Sequence, residues 1–135
     1  MPVGLEIVSP EKLLLSRPVD MVVIPASEGD IGVLPGHSPM IVMLRGGTIR
    51  IHEGGQVTST LFVSGGFAEI TPERCTVLAS EVLPPAELSR AEADRRLAEA
   101  EAAYAATDKM DVIALEAEMD RMQSARAMRD IAEAP

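Results

Sequence analysis

TIRIHEGGQVTSTLFV, residues 48–63, decides the fold class. Thr48-Ile49-Arg50-Ile51-His52 and Thr58–Val63 alternate apolar with polar side chains, the period of a strand with one buried and one wet face. Between them Glu53-Gly54-Gly55-Gln56 supplies the paired glycines of a tight hairpin turn. The same punctuation extends outward in both directions. From Val3 to about Val82, Gly or Pro recurs every 8–12 residues between short β-branched runs, as in a sandwich or barrel. GLEIVS, KLLLSR, DMVVIPA, DIGVL, MIVML, FAEIT and CTVLA join the hairpin as candidate strands.

The pattern breaks after Leu83. Pro84-Pro85 cannot continue a strand pairing, and Ser89-Arg90-Ala91-Glu92 is a capping box that opens a helix. That helix is expected from Ser89 to about Tyr104. Ala105-Ala106-Thr107-Asp108 follows as a short break with two candidate caps, and Met110 to about Ala132 is helical again. A short connection makes the two helices antiparallel neighbours. Alanines allow close approach while Ile113, Leu115, Met119 and Met122 supply bulk. At ~1.5 Å per residue the first helix is only about 24 Å long, so the hairpin depends on packing for its stability. Residues 1–84 thus read as a β domain and residues 85–135 as a helical hairpin.

Composition narrows the function. Of 135 residues 47% are hydrophobic but only 2% aromatic, and the net charge is −9. An acidic chain poor in stacking platforms does not suit nucleic acid. The central apolar run Met40–Leu44 falls far short of the ~20 residues that span a bilayer. The start MPVGLEIVSPE has neither the basic nor the apolar region of a leader. The single Cys75 suits a reducing compartment and reads as a small buried hydrophobe in RCTVLA.

Three catalytic motifs are approached and missed. Gly32–Ser38 resembles a phosphate loop but is one residue short, has His37 in place of lysine, and loses an amide at Pro35. His52-Glu53 begins like a zinc-binding helix but runs into two glycines and lacks a second histidine. Ser64 is in no nucleophile elbow. No metal, cofactor or catalytic residue is expected. His52 reads as a solvent-facing strand residue. His37, beside Glu28 and Asp30 in sequence, is either a surface contact or an ordinary loop histidine. Gly29, Gly32, Gly36, Gly65 and Gly66 read as turn glycines.

Ser27–Met40, SEGDIGVLPGHSPM, resembles the signature of the epsilon subunit of bacterial F-type ATP synthases. Val63–Ile70, VSGGFAEI, is similar to that family's V-x-G-G-F-x-E-V strand, and Val77-Leu78-Ala79 to its closing strand. The resemblance implies an α+β chain, a ten-stranded β-sandwich followed by an antiparallel two-helix hairpin. It also implies a non-catalytic central-stalk subunit that grips gamma, sits on the c-ring at the cytoplasmic face of the bacterial inner membrane, and couples ring rotation to ATP synthesis. Asp30 and His37 carry over as gamma and c-ring contacts, with Glu28 and Pro39 beside them. The hairpin would reach the alpha and beta subunits and brake hydrolysis weakly, because residues 86–135 carry a net −5. The family's nucleotide motif I/L-D-x-x-R-A here reads Ala86-Glu87-Leu88-Ser89-Arg90-Ala91. With Glu87 for Asp, Arg90 kept and Arg121 on the second helix, ATP binding is expected to be weak or absent. The competing readings are a free-standing nucleotide sensor working through the hairpin, and an enzyme pairing His37 with Asp30.

Overall fold

The computed structural model describes residues 2–133; Met1, Ala134 and Pro135, which the sequence reading included at its ends, lie outside them. Ten strands come first: β1 Val3–Val8, β2 Leu13–Val19, β3 Met21–Ala26, β4 Gly29–Val33, β5 Met40–Met43, β6 Gly47–Glu53, β7 Gln56–Ser64, β8 Phe67–Ile70, β9 Arg74–Leu78 and β10 Glu81–Leu83. They form two five-stranded sheets, ordered β2-β1-β9-β8-β5 and β10-β7-β6-β3-β4. Among the described residues only β1 and β9 pair in parallel; the other ladders are antiparallel. Period-2 alternation turns Val3, Leu5 and Ile7 of β1 inward, where they meet Val22, Ile24, Ile49 and Ile51 of the second sheet. Each such side chain, removed from water, contributes about 1.5–3 kcal/mol. Cys75 is part of this core, and burial pushes its thiol up to about 12.

The β6–β7 hairpin turns at Gly54 and Gly55, both with positive φ (63° and 81°), and the Gly54 amide donates to Asp20 Oδ2 at 2.7 Å. The residue pattern alone identifies nine of the ten strands. The tenth, β10, has three half-buried residues paired with the end of β7, too few to show alternation, and Pro84 closes it. Gly66 sits in the crossing from β7 to β8 with φ 92°, and a Cβ there would overlap the Leu78 carbonyl oxygen. Gly66→Ala therefore combines backbone strain with a clash against main chain. It should cost roughly 2 kcal/mol and lower Tm by about 5–10 °C in calorimetry.

After a 3-10 turn at Pro85–Glu87, α1 runs Arg90–Ala106 and α2 Val112–Glu133. Ser89 caps α1, its Oγ accepting from the Glu92 amide at 3.0 Å. The break is later and longer than the sequence suggests, and neither Thr107 nor Asp108 caps α2. Thr107 Oγ1 donates back to the Ala103 carbonyl at 2.6 Å, and the Asp108 carboxylate accepts from the Met110 amide. Asp111 is the cap, its Oδ1 accepting from the Ala114 amide at 3.1 Å. The alanines Ala93, Ala100 and Ala125 are buried as expected, but the bulky side chains differ in part. Ala93, Leu97, Ala100, Ala125 and Met128 face inward, whereas Ile113 (84% exposed) and Met119 (53%) point to water because the helical phase turns them away.

The hairpin lies on the second sheet. Phe62 of β7, fully buried, projects into a second small core with Ala93 and Met128, walled by Leu83, Leu88, Ala127 and Ile131. α2 approaches the β5–β6 connection so closely that a Cβ on Gly46 would overlap Ser124. Among the described residues no helix is long and apolar enough to cross a membrane.

Candidate functional site

The segment from Glu28 to Met40 is a turn, a strand and a loop. Ser27 and Glu28 form the β3–β4 turn, with Gly29 (φ 143°) beginning β4. Asp30 stands within β4, opposite Pro25. Gly32 is also inside β4, opposite Val23 and without positive φ, so it is a strand residue and not a turn glycine. The chain then turns over Leu34-Pro35-Gly36-His37: the His37 amide donates to the Leu34 carbonyl at 3.2 Å, and Gly36, at φ 83°, takes the position that Pro35 prepares. The Gly36 amide donates to the Pro72 carbonyl at 2.7 Å, fastening this loop to the β8–β9 connection. His37 is half-buried, its Nδ1 2.8 Å from the Ser38 carbonyl oxygen, and exposed Pro39 leads into β5.

Asp30 and His37 are therefore held apart. The strand from Asp30 to Val33 alone spans about 10 Å, and the proline turn lies beyond it. An acid–base pair from these two groups does not form. Glu28 and Asp30 instead border a groove of about 490 Å³ between the edge strands β4 and β5, whose other wall includes Met40, Ile41 and Met43. Asp30 is engaged within the chain, accepting from Arg45 and lying 3.5 Å from Arg50. His52 is half-buried rather than solvent-facing, and its Nε2 is enclosed without a hydrogen-bond partner.

The outward face of the first sheet carries a feature that motif reading missed. Register places Val8 beside Leu78, Leu78 beside Phe67, and Phe67 beside Met43, an apolar row across four neighbouring strands. Leu78 (37%), Phe67 (39%) and Met43 (61%) are exposed. One step along, Glu6, Thr76 and Glu69 form a polar rim, with Ile41 continuing the apolar edge. The signal was present in the strand phase: MIVML, FAEIT and CTVLA place large apolar side chains on both faces, and a sheet with one wet face has no need of them.

On the hairpin, Glu87 is exposed in the 3-10 turn, Arg90 opens α1 with its Nε 3.9 Å from Asp94, and Arg121 of α2 lies 3.3 Å from Glu118. Arg121 joins Arg95, Arg96, Ser64 and Ser80 around a cleft of about 440 Å³, while Glu87 and Arg90 are not among its lining. Arg96 grips Glu81 of β10 with two bonds, 2.8 and 3.1 Å, and also bonds Glu92. Arg95 lies between Glu92 and Glu99. Bonds from Arg95 first and Arg96 second draw the Glu92 carboxyl down from 4.5 to about 2. A carboxylate lowered in the folded state stabilises above its unfolded value and loses that contribution as pH falls through the folded one. Hairpin helicity should hold from pH 7 to about 5 and decline between about 4.5 and 2 by circular dichroism, with Glu92→Gln flattening that decline. Among the described residues no three His, Cys, Asp or Glu side chains gather as a metal site would require.

The family model described as "ATP synthase, Delta/Epsilon chain, beta-sandwich domain" matches residues 3–85, more than half of the chain. The chain belongs to this ATP synthase Delta/Epsilon family. It is 68% identical over 129 residues to the ATP synthase epsilon chain of Granulibacter bethesdensis, covering 96% of each chain. Against the ATP synthase epsilon chain of Gluconacetobacter diazotrophicus it is 50% identical over 135 residues, covering all of this chain and 96% of that one. The fold also matches a chain in the mitochondrial ATP synthase structure of Euglena gracilis comprising OSCP, F1 and c-ring, with a TM-score of 0.78 at 22% identity over 96% of this chain and 80% of that one. The matched family model covers the sandwich, and the similarity to these relatives extends into the hairpin.

Proposed function

We propose that the chain is a non-catalytic central-stalk subunit of a proton-translocating F-type ATP synthase, linking the gamma shaft to the c-ring so that ring rotation drives ATP synthesis. The carrying observation is the apolar row of half-buried Val8 and exposed Leu78, Phe67 and Met43 across the outward face of one sheet of a chain in this family. Transmitting torque requires a stiff body with a complementary face. Two five-stranded sheets around an aliphatic core supply the stiffness, and the row with its carboxylate rim supplies a face for gamma. In this reading Glu28, His37 and Pro39 lie towards gamma and the c-ring, with Asp30 behind them bonded to Arg45, and the protein is peripheral at the cytoplasmic face of the inner membrane. The hairpin would meet the alpha and beta subunits and act as a weak brake on hydrolysis. Free nucleotide sensing is disfavoured, because Arg95, Arg96 and Arg121 already have carboxylate partners and a phosphate would have to displace them.

Copurification tests the proposal. Tagged chain expressed at native abundance should recover gamma and the catalytic subunits in stoichiometric amounts. Recovery of the tagged chain alone would refute it.

A further inference from the structure

Asp30 is not placed as a free surface acid. Its carboxylate accepts from Arg45 and lies 3.5 Å from Arg50 on β6. Arg45 is the more enclosed partner, with a quarter of its side chain exposed, and its backbone amide donates to the Pro25 carbonyl at 2.9 Å. Gly47 leaves room for this arrangement: a Cβ there would lie 2.9 Å from Arg45 Nη1 and 2.8 Å from the Pro25 side chain. Between Arg45 and Gly47 is Gly46, against which Ser124 of α2 rests. Asp30, Arg45 and Arg50 also line a cleft closed on its far side by Ala127, Asp130 and Ile131 of α2. The Asp30 carboxylate thus holds the side chain whose backbone forms the shelf beneath the helix. Glu28, two residues earlier, is exposed in the turn, and among the described residues none bonds or ion-pairs with its carboxylate.

We infer that Asp30 acts inward as a positioning residue, fixing the Arg45–Gly47 shelf on which α2 docks, and that Glu28 is the carboxylate this turn offers to a basic loop of a partner. The part concerning Glu28 rests on the proposed attachment to the c-ring. The part concerning Asp30 concerns the chain by itself. Asp30 and the helix are linked through Arg45, so their effects should be non-additive.

The test follows amide exchange of residues 122–131 in the full chain, together with association of the same variants with synthase depleted of this subunit. Asp30→Asn and Arg45→Met should each speed exchange about fivefold, with the double variant no faster than either and Asp30→Glu restoring slow exchange. Asp30→Asn should change association less than twofold, and Glu28→Gln should weaken it about fivefold without affecting exchange. Unchanged exchange in Asp30→Asn would overturn the anchor. Slower exchange would also overturn it, because Asp130 would then have captured the released arginines. If Asp30→Asn speeds exchange while neither carboxylate variant affects association, the anchor stands and the ring attachment of this turn is refuted.

Discussion

Phe62→Ala is expected to release the helical hairpin while the sandwich stays folded. Phe62 is fully buried, but it faces away from the inter-sheet core and fills the smaller one with Ala93 and Met128. Removing a buried phenylalanine costs about 3–5 kcal/mol through lost transfer energy and the cavity left behind. What remains to hold the hairpin is modest. Half-exposed ion pairs such as Arg96–Glu81 contribute about 0–1 kcal/mol, and α1 by itself is an alanine-rich helix of 17 residues, marginal in water. The sandwich keeps Val3, Leu5, Ile49 and Ile51 on its inner faces and loses none of their contacts. Native-state amide exchange should therefore show protection lost across residues 93–128 and kept in β1 and β6. Simultaneous loss in both regions would mean that the chain unfolds as one cooperative unit, and the prediction would fail.

The Phe62 case also shows what sequence could and could not disclose. Residues 48–63 read directly as a hairpin, because alternation and paired glycines are local signals that survive without knowledge of the rest of the chain. The alternation expected over Thr58–Val63 fails at Phe62-Val63, since the two residues serve opposite faces that are both covered, one by the other sheet and one by the hairpin. β10 was invisible to pattern because three residues against the end of a neighbour carry no period. Asp111 was missed because Thr107, Asp108 and Asp111 are all plausible caps, and the choice depends on which side chain the preceding turn has already engaged. At the candidate site, nearness along the chain misled. Asp30 and His37 are seven residues apart, but a strand keeps them separate, and the partners of Asp30 come from Arg45 and Arg50, a long-range pairing with no local signature.

Met43→Asp should leave the isolated chain as stable as the parent and abolish its attachment to gamma. The side chain is 61% exposed on an edge strand, so in the free protein the new carboxylate remains hydrated and strains nothing. Docked, it would be driven into the apolar row beside Phe67 with Glu69 nearby on the same face, on a chain already carrying −9. A desolvated carboxylate facing apolar groups costs several kcal/mol, and near 3 kcal/mol association falls about 100-fold. Met43→Leu preserves volume and polarity and should change affinity less than threefold. Met110→Asp, 88% exposed at the hairpin tip, places the same charge away from the row and controls for net charge. Binding of each variant to gamma by titration calorimetry, read beside its melting temperature, separates loss of the face from loss of the fold. If Met43→Asp binds like the parent, this sheet face is not the gamma contact.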